Sequence, residues 1–260
     1  MSGPFLLIVG AVVVALAAIL AIVILTGGGD DESSDLATNL EEMTANLPTD
    51  LIDGNKLGSD DAPVKITAFE DFQCPFCLRY TGEQEGELVE RFVKTGRMQI
   101  EFKHLPILGL ESVDAAMASQ CAADQDLFWQ YHHRLFLEQA EAGQLENERL
   151  NVAQYSKDNL KEFADKVGLD RTEFDACLDS GANLDKLTAD QSEASSFGIR
   201  GTPGFLVNGQ PLGTGTPTDI EAWEELVIDV ENQLATQTAT AGSPTADASA
   251  SPEATATPTP

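Results

Sequence analysis

The amino-acid sequence predicts one α/β domain: a βαβ unit, a helical insertion, then a β-hairpin and a closing helix, set behind an N-terminal transmembrane helix. Three observations predict it. Residues 64–69 and 98–105 are β-prone runs separated by a helical apolar stripe, which makes a βαβ unit, ordinarily with parallel strands. From about residue 111 to 180 the apolar period becomes helical. Asn208-Gly209, between two short β-prone segments, is a strong two-residue hairpin signal.

The membrane segment comes first along the chain. Residues 5–26 hold no charged side chain and are almost wholly Leu, Ile, Val, Ala and Gly. About twenty helical residues match the hydrocarbon core of a bilayer, so this run is long enough to span. A cleaved signal peptide is the competing reading, with Ala15-Leu16-Ala17 imitating a small-residue cleavage site. The apolar run continues unbroken to Leu25, which favours an uncleaved signal-anchor. Residues 1–4 are a stub without Lys or Arg, so the positive-inside rule has nothing to count.

Residues 27–49 open with Gly27-Gly28-Gly29 and an acidic run, and read as a flexible, self-repelling linker. Every Lys and Arg lies between Lys56 and Arg200, and the folded domain is expected over residues 50–236. Residues 237–260 are a Thr/Ala/Ser/Pro-rich tail with too little apolar surface to offset its ordering entropy, and are expected to be disordered. The formal net charge of −28 excludes a nucleic-acid binder, which needs a basic footprint, and argues against docking on anionic lipid.

Within the domain, Leu88, Val89, Phe92 and Val93 form the apolar stripe of the first helix, with Gly96 at its C-terminal cap. The insertion covers about residues 108–195. Val113, Met117 and Cys121 share one helical face; Phe128, His132, Leu135 and Phe136 share another; Leu160, Phe163, Ala164 and Val167 make a third helix ending at Gly168. Asp170, with Glu173 three residues on, opens a short helix that turns Phe174, Cys177 and Leu178 inward. Residues 204–207 and 210–212 are the hairpin strands, and Trp223, Leu226, Val227, Val230 and Leu234 line the last helix, with Pro217 near its start.

Cys74-Pro75-Phe76-Cys77 lies between the first strand and the first helix. A cysteine at a helix N-terminus meets unsatisfied N–H groups and the positive end of the helix dipole, which stabilise its thiolate. Pro75 suits the first turn, where its missing N–H costs nothing. Two intervening residues put both sulfurs on one turn, so Cys74 reads as the exposed nucleophile and Cys77 as the resolving thiol. The alternative for a bare C-x-x-C is half a zinc site. It lacks a second close ligand pair, so no metal is expected.

The motifs Phe69-Glu-Asp-Phe-Gln-Cys-Pro-Phe-Cys77, Cys121-Ala-Ala-Asp-Gln-Asp-Leu-Phe-Trp129 and Gly198-Ile-Arg-Gly-Thr-Pro-Gly-Phe205 resemble the DsbA-like family of thiol–disulfide oxidoreductases, in the right order. The resemblance implies a thioredoxin fold interrupted by the helical insertion. It also implies that Thr202-Pro203 is a cis-proline loop facing the active-site pair and holding substrate backbone. A plain turn proline is the alternative. One departure is Ala68, where many relatives carry a buried Glu six residues before the first cysteine. A proton relay through Glu70 or Asp71 therefore stands beside the reading of both as surface carboxylates. A second departure is Phe76, where the best-known oxidases carry His, so one thiolate-stabilising donor is missing.

Cys121 and Cys177 each sit on an apolar helix face, where two buried free thiols are one reading. In an oxidising compartment, with four cysteines in all, a disulfide between them is better supported, and some relatives carry such a second pair. His104, His132 and His133 form no ligand cluster by spacing, and His132 reads as a satisfied core histidine.

The expected function is dithiol–disulfide exchange by a protein of the cell membrane: a single-pass N-terminal anchor with the catalytic domain extracytoplasmic, oxidising cysteine-containing exported proteins. Exchange between sulfurs needs no cofactor. Oxidation leaves the enzyme reduced, so a membrane redox partner of the DsbB or vitamin-K-epoxide-reductase (VKOR) type is implied. The rivals are a reductase or isomerase fed by a membrane electron carrier, and a redox-inactive peptide-binding or chaperone module.

Overall fold

The computed structural model describes residues 32–145, 147–213 and 216–241. The expected anchor, residues 5–26, lies outside them, as does the tail beyond Ala241. Among the described residues no helix is long and apolar enough to cross a membrane.

The six-stranded sheet has the order β1-β2-β4-β3-β5-β6. Its centre is the pair read from the sequence, β3 (Val64–Glu70) and β4 (Met98–His104), parallel in the register Val64↔Met98 to Glu70↔His104. β5 (Gly204–Val207) pairs antiparallel with the other edge of β3, Phe69 opposite Gly204. β6 (Gln210–Pro211) closes the hairpin. Asn208 and Gly209 both adopt left-handed φ (47° and 76°), as a two-residue turn matched to strand twist requires. β1 (Ile52–Asp53) and β2 (Lys56–Leu57), a short hairpin that adds to β4, are not expected from the residues alone; runs of two residues carry too little periodicity.

Two expectations are corrected. The flexible linker is not one throughout: Glu32–Ala45 is a helix, α1, with Leu36 and Leu40 buried. The acidic composition hid an apolar stripe, Leu36, Leu40, Met43 and Leu47, at helical spacing. The tail also begins later, since the closing helix, α8, runs Ile220–Ala241.

Helix α2 starts at Pro75–Tyr80 and continues to Val93 through π-helical turns at Thr81–Glu85 and Val89–Val93, with Gly86–Leu88 α-helical between them. The insertion between β4 and β5 holds five helices: α3 (Leu110–Ala123), α4 (Phe128–Glu141), α5 (Lys157–Val167), α6 (Arg171–Ser180) and α7 (Leu184–Ser196). Asp170 caps α6 by accepting from the Thr172 and Glu173 backbone N–H groups. Phe72, Phe102, Phe128 and Phe136 pack ring to ring between sheet and insertion, with Phe72–Phe102 centroids at 5.4 Å. The insertion thus packs against the segment that carries the cysteine pair.

Candidate functional site

β3 ends at Glu70, and a turn closed by Cys74 N–H to the Asp71 carbonyl (2.9 Å) delivers Cys74 to the N-cap of α2. Pro75 occupies the first helical turn. Cys74 and Cys77 are both thiols; Cys74, expected to be exposed, is only 4% exposed because the Thr202 carbonyl lies against its sulfur, Cys77 is fully buried, and Phe76 between them is 64% exposed. Thr202-Pro203 is a cis peptide bond, and the Cys74 thiol donates to the Thr202 carbonyl at 3.3 Å. Two segments 128 residues apart therefore meet at one sulfur.

The two thiols are electrostatically unlike. The Cys77 thiol donates to Cys74 and, against the cost of burial, lowers its pKa from an ordinary 9.0 to about 7. The Thr202 side chain and the backbone N–H groups of Cys77 and Phe76 add to the effect. Burial pushes Cys77 well up, and the neighbouring Cys74 and Glu70 push it the same way. One sulfur is poised as a thiolate and the other holds its proton.

Glu70 and Asp71, left open between relay and surface in the sequence, are both buried, and they do different things. The Asp71 carboxylate is occupied: one oxygen accepts from Gln73 N–H (2.8 Å), the other from Ile107 and Leu108 N–H (2.8 and 2.9 Å). It ties the active-site turn to the loop that carries exposed Ile107 and Leu110. Among the described residues neither Glu70 oxygen has a hydrogen-bond partner of good geometry. Burial, then the charges of Glu85 and Cys74, raise its pKa well above the usual carboxylate range, outweighing Cys77 and Thr81, which act the other way.

Gln73, which the sequence did not single out, is buried and joins the active-site turn to the insertion. Its amide donates to Ser112 Oγ and accepts from Asn151 N–H, and its carbonyl accepts from Gln144. Its only signal was its place beside Cys74. Far from this site, Cys121 and Cys177 form a disulfide between α3 and α6. His132 corrects an expectation: it is fully buried, but neither ring nitrogen has a hydrogen-bond partner among the described residues.

A thioredoxin family model matches residues 51–229. The chain belongs to the thioredoxin family. The resemblance to DsbA-like oxidoreductases is borne out by relatives and by fold. "Probable disulfide bond formation protein D" of Bacillus anthracis is 29% identical over 155 residues, covering 59% of this chain and 69% of that one. Disulfide bond formation protein D of Bacillus subtilis (strain 168) is 26% identical over 182 residues, covering 68% and 76%. The crystal structure of oxidised BdbD from Bacillus subtilis shares the fold, with a TM-score of 0.58 at 22% identity, over 69% of this chain and 93% of that one.

Proposed function

We propose that this thioredoxin-family protein is a membrane-anchored, extracytoplasmic dithiol–disulfide oxidoreductase that oxidises cysteine pairs in exported proteins. The observation that carries the reading is the asymmetric pair: a low-pKa Cys74 against the Thr202 carbonyl, backed by a buried, proton-holding Cys77. The names of the relatives, disulfide bond formation proteins, support oxidation as the direction. The charge-free apolar run at residues 5–26 supports a single-pass anchor. The catalytic domain is residues 50–236, extended by α1.

In the oxidised enzyme a client thiolate attacks Cys74 Sγ, the Cys74–Cys77 bond breaks, and Cys77 leaves as a thiolate. Neutral Glu70 protonates it. A second client thiolate attacks the client sulfur of the mixed disulfide and expels Cys74, whose low pKa makes it a good leaving group. The client leaves with a new disulfide, and two electrons stay on Cys74 and Cys77. A membrane oxidant of the DsbB or VKOR type takes them. Thr202-Pro203 holds client backbone, and exposed Phe76, Ile107 and Leu110 give it an apolar landing. The Cys121–Cys177 bond staples the insertion.

A second reading keeps the site and reverses the electrons. A nucleophile pKa near 7 is that of thioredoxin, a reductase, rather than the much lower value of DsbA. The test mixes the oxidised chain with a reduced two-cysteine peptide and follows peptide disulfide by acid quench and mass. One peptide disulfide per chain is expected, and Cys74→Ser abolishes it. Exchange that survives Cys74→Ser overturns the nucleophile; a chain that binds the peptide without exchange is the redox-inactive module.

A further inference from the structure

Outside the exchange site, three buried side chains from α2 and α4 converge. Glu85, His132 and His133, none more than 1% exposed, each place one ligand-type atom within 4.8 Å of the other two. Glu85 ends the π-helical turn Thr81–Glu85, and short π stretches within α-helices recur at functional sites.

His133 is engaged through both ring nitrogens. Thr44 Oγ1 lies 2.7 Å from the Leu40 carbonyl and 3.2 Å from His133 Nδ1, and can donate to either. Whichever tautomer holds, the second ring nitrogen, Nε2, is turned to Glu85. That nitrogen faces Glu85 Oε1 at 3.0 Å. With the hydrogen on Nε2 this is an ordinary hydrogen bond to a carboxylate, and a metal in place of that hydrogen would bind the same two atoms. That bond satisfies the pair but does nothing for His132, neither of whose buried nitrogens has a hydrogen-bond partner among the described residues. One divalent cation satisfies all three groups.

We propose that Glu85, His132 and His133 bind one first-row divalent cation of the zinc class through two imidazole nitrogens and a carboxylate oxygen. Imidazole with carboxylate suits zinc, and three protein ligands leave a fourth position for water. Donors around tetrahedral zinc stand about 3.3 Å apart, so ligation draws the looser donors inward. The Thr44–His133 bond is then the outer contact that orients a ligand. The cation pins α2 to α4 directly and α1 through Thr44. Nothing in this inference depends on the direction of thiol exchange.

The test uses the untagged full chain in detergent, with both cysteine pairs oxidised so that no thiolate can ligate. Excess Ca²⁺ occupies the surface carboxylates. Titration with Co²⁺ is expected to give one equivalent bound, with d–d bands of low coordination number, no thiolate charge-transfer band, and displacement by Zn²⁺. Glu85→Gln and His133→Gln lose the bands, and Thr44→Val weakens binding by about 10- to 100-fold. Zn²⁺ raises the thermal midpoint of the native chain but not of Glu85→Gln. Circular dichroism establishes which variants fold; should the buried substitutions unfold the chain, Thr44→Val decides. Folded native chain that binds no Co²⁺ overturns the proposal, and so does binding that Thr44→Val leaves unchanged.

Discussion

Replacing Cys77 by Ala removes the contact that does most to stabilise the Cys74 thiolate. What remains is burial, which raises the pKa, against Thr202 and two backbone N–H groups, which lower it. These oppose each other, so the pKa moves from about 7 back toward 9.0. At pH 7 half of Cys74 is thiolate in the native chain; a full return to 9.0 leaves about 1%, a fall of about fiftyfold. The assay is the rate of alkylation of the reduced chain by iodoacetamide from pH 5 to 10. Access to Cys74 is common to both proteins and cancels in the ratio. The expected result is a midpoint near pH 7 in the native chain, displaced upward by one to two units, about 1.4 to 2.7 kcal/mol, in Cys77→Ala. A midpoint still near pH 7 in the variant refutes the partner-thiol account and leaves the helix terminus and Thr202 to carry the effect.

Other perturbations test the surroundings. Glu70 keeps its proton in the folded state while the unfolded chain releases it above about pH 4.3, so stability falls as pH rises from there to the folded pKa, by about 1.4 kcal/mol per pH unit. Glu70→Gln is therefore expected to gain stability over the native chain at pH 7 but not at pH 4; urea midpoints that shift equally at both pH values contradict this. Leu40→Ala, at a fully buried position of α1, is expected to cost about 2–5 kcal/mol, or less where α1 undocks, and to open residues 32–48 to proteolysis. An unchanged proteolytic pattern would mean that the helix does not dock. Replacing Cys121 and Cys177 together by Ala releases a loop with a separation of 56 residues and is expected to cost about 4 kcal/mol in urea unfolding; a loss below about 1 kcal/mol would assign the loop's order to packing alone.

The parts of the fold legible in the sequence are those with long or unambiguous local signals. The alternation of residues 98–105, the stripe of Leu88, Val89, Phe92 and Val93, and the Asn208-Gly209 turn led directly to β4, α2 and the β5–β6 hairpin. The site's sulfur chemistry was legible because C-x-x-C puts both thiols on one helical turn. What was not legible depends on tertiary neighbours. Leu36 and Leu40 stood in an acidic segment whose partner, α4, lies about ninety residues away in the chain. The different fates of Glu70 and Asp71 turn on alternation at the end of β3 and on N–H groups supplied by Ile107 and Leu108. Glu85 did carry a signal, since it falls one turn before Leu88 and Val89 on the apolar stripe, where a carboxylate is out of place. Its convergence with His133 required the helix pairing.

The direction of electron flow is tested most directly by the reduction potential of Cys74–Cys77. A nucleophile pKa of about 7 favours the reduced form at pH 7 by only about 0.4 kcal/mol over an ordinary thiol, or about 9 mV. An oxidising potential must therefore come mainly from elsewhere in the fold. The measurement equilibrates the full chain with glutathione buffers at pH 7 and counts free thiols by trapping, with Cys121 and Cys177 as the internal oxidised reference. The account predicts one two-electron transition well above about −270 mV, toward the DsbA end of the scale near −120 mV. A value at or below about −270 mV contradicts oxidation, and a pair that forms no disulfide even in fully oxidised glutathione contradicts the enzyme itself.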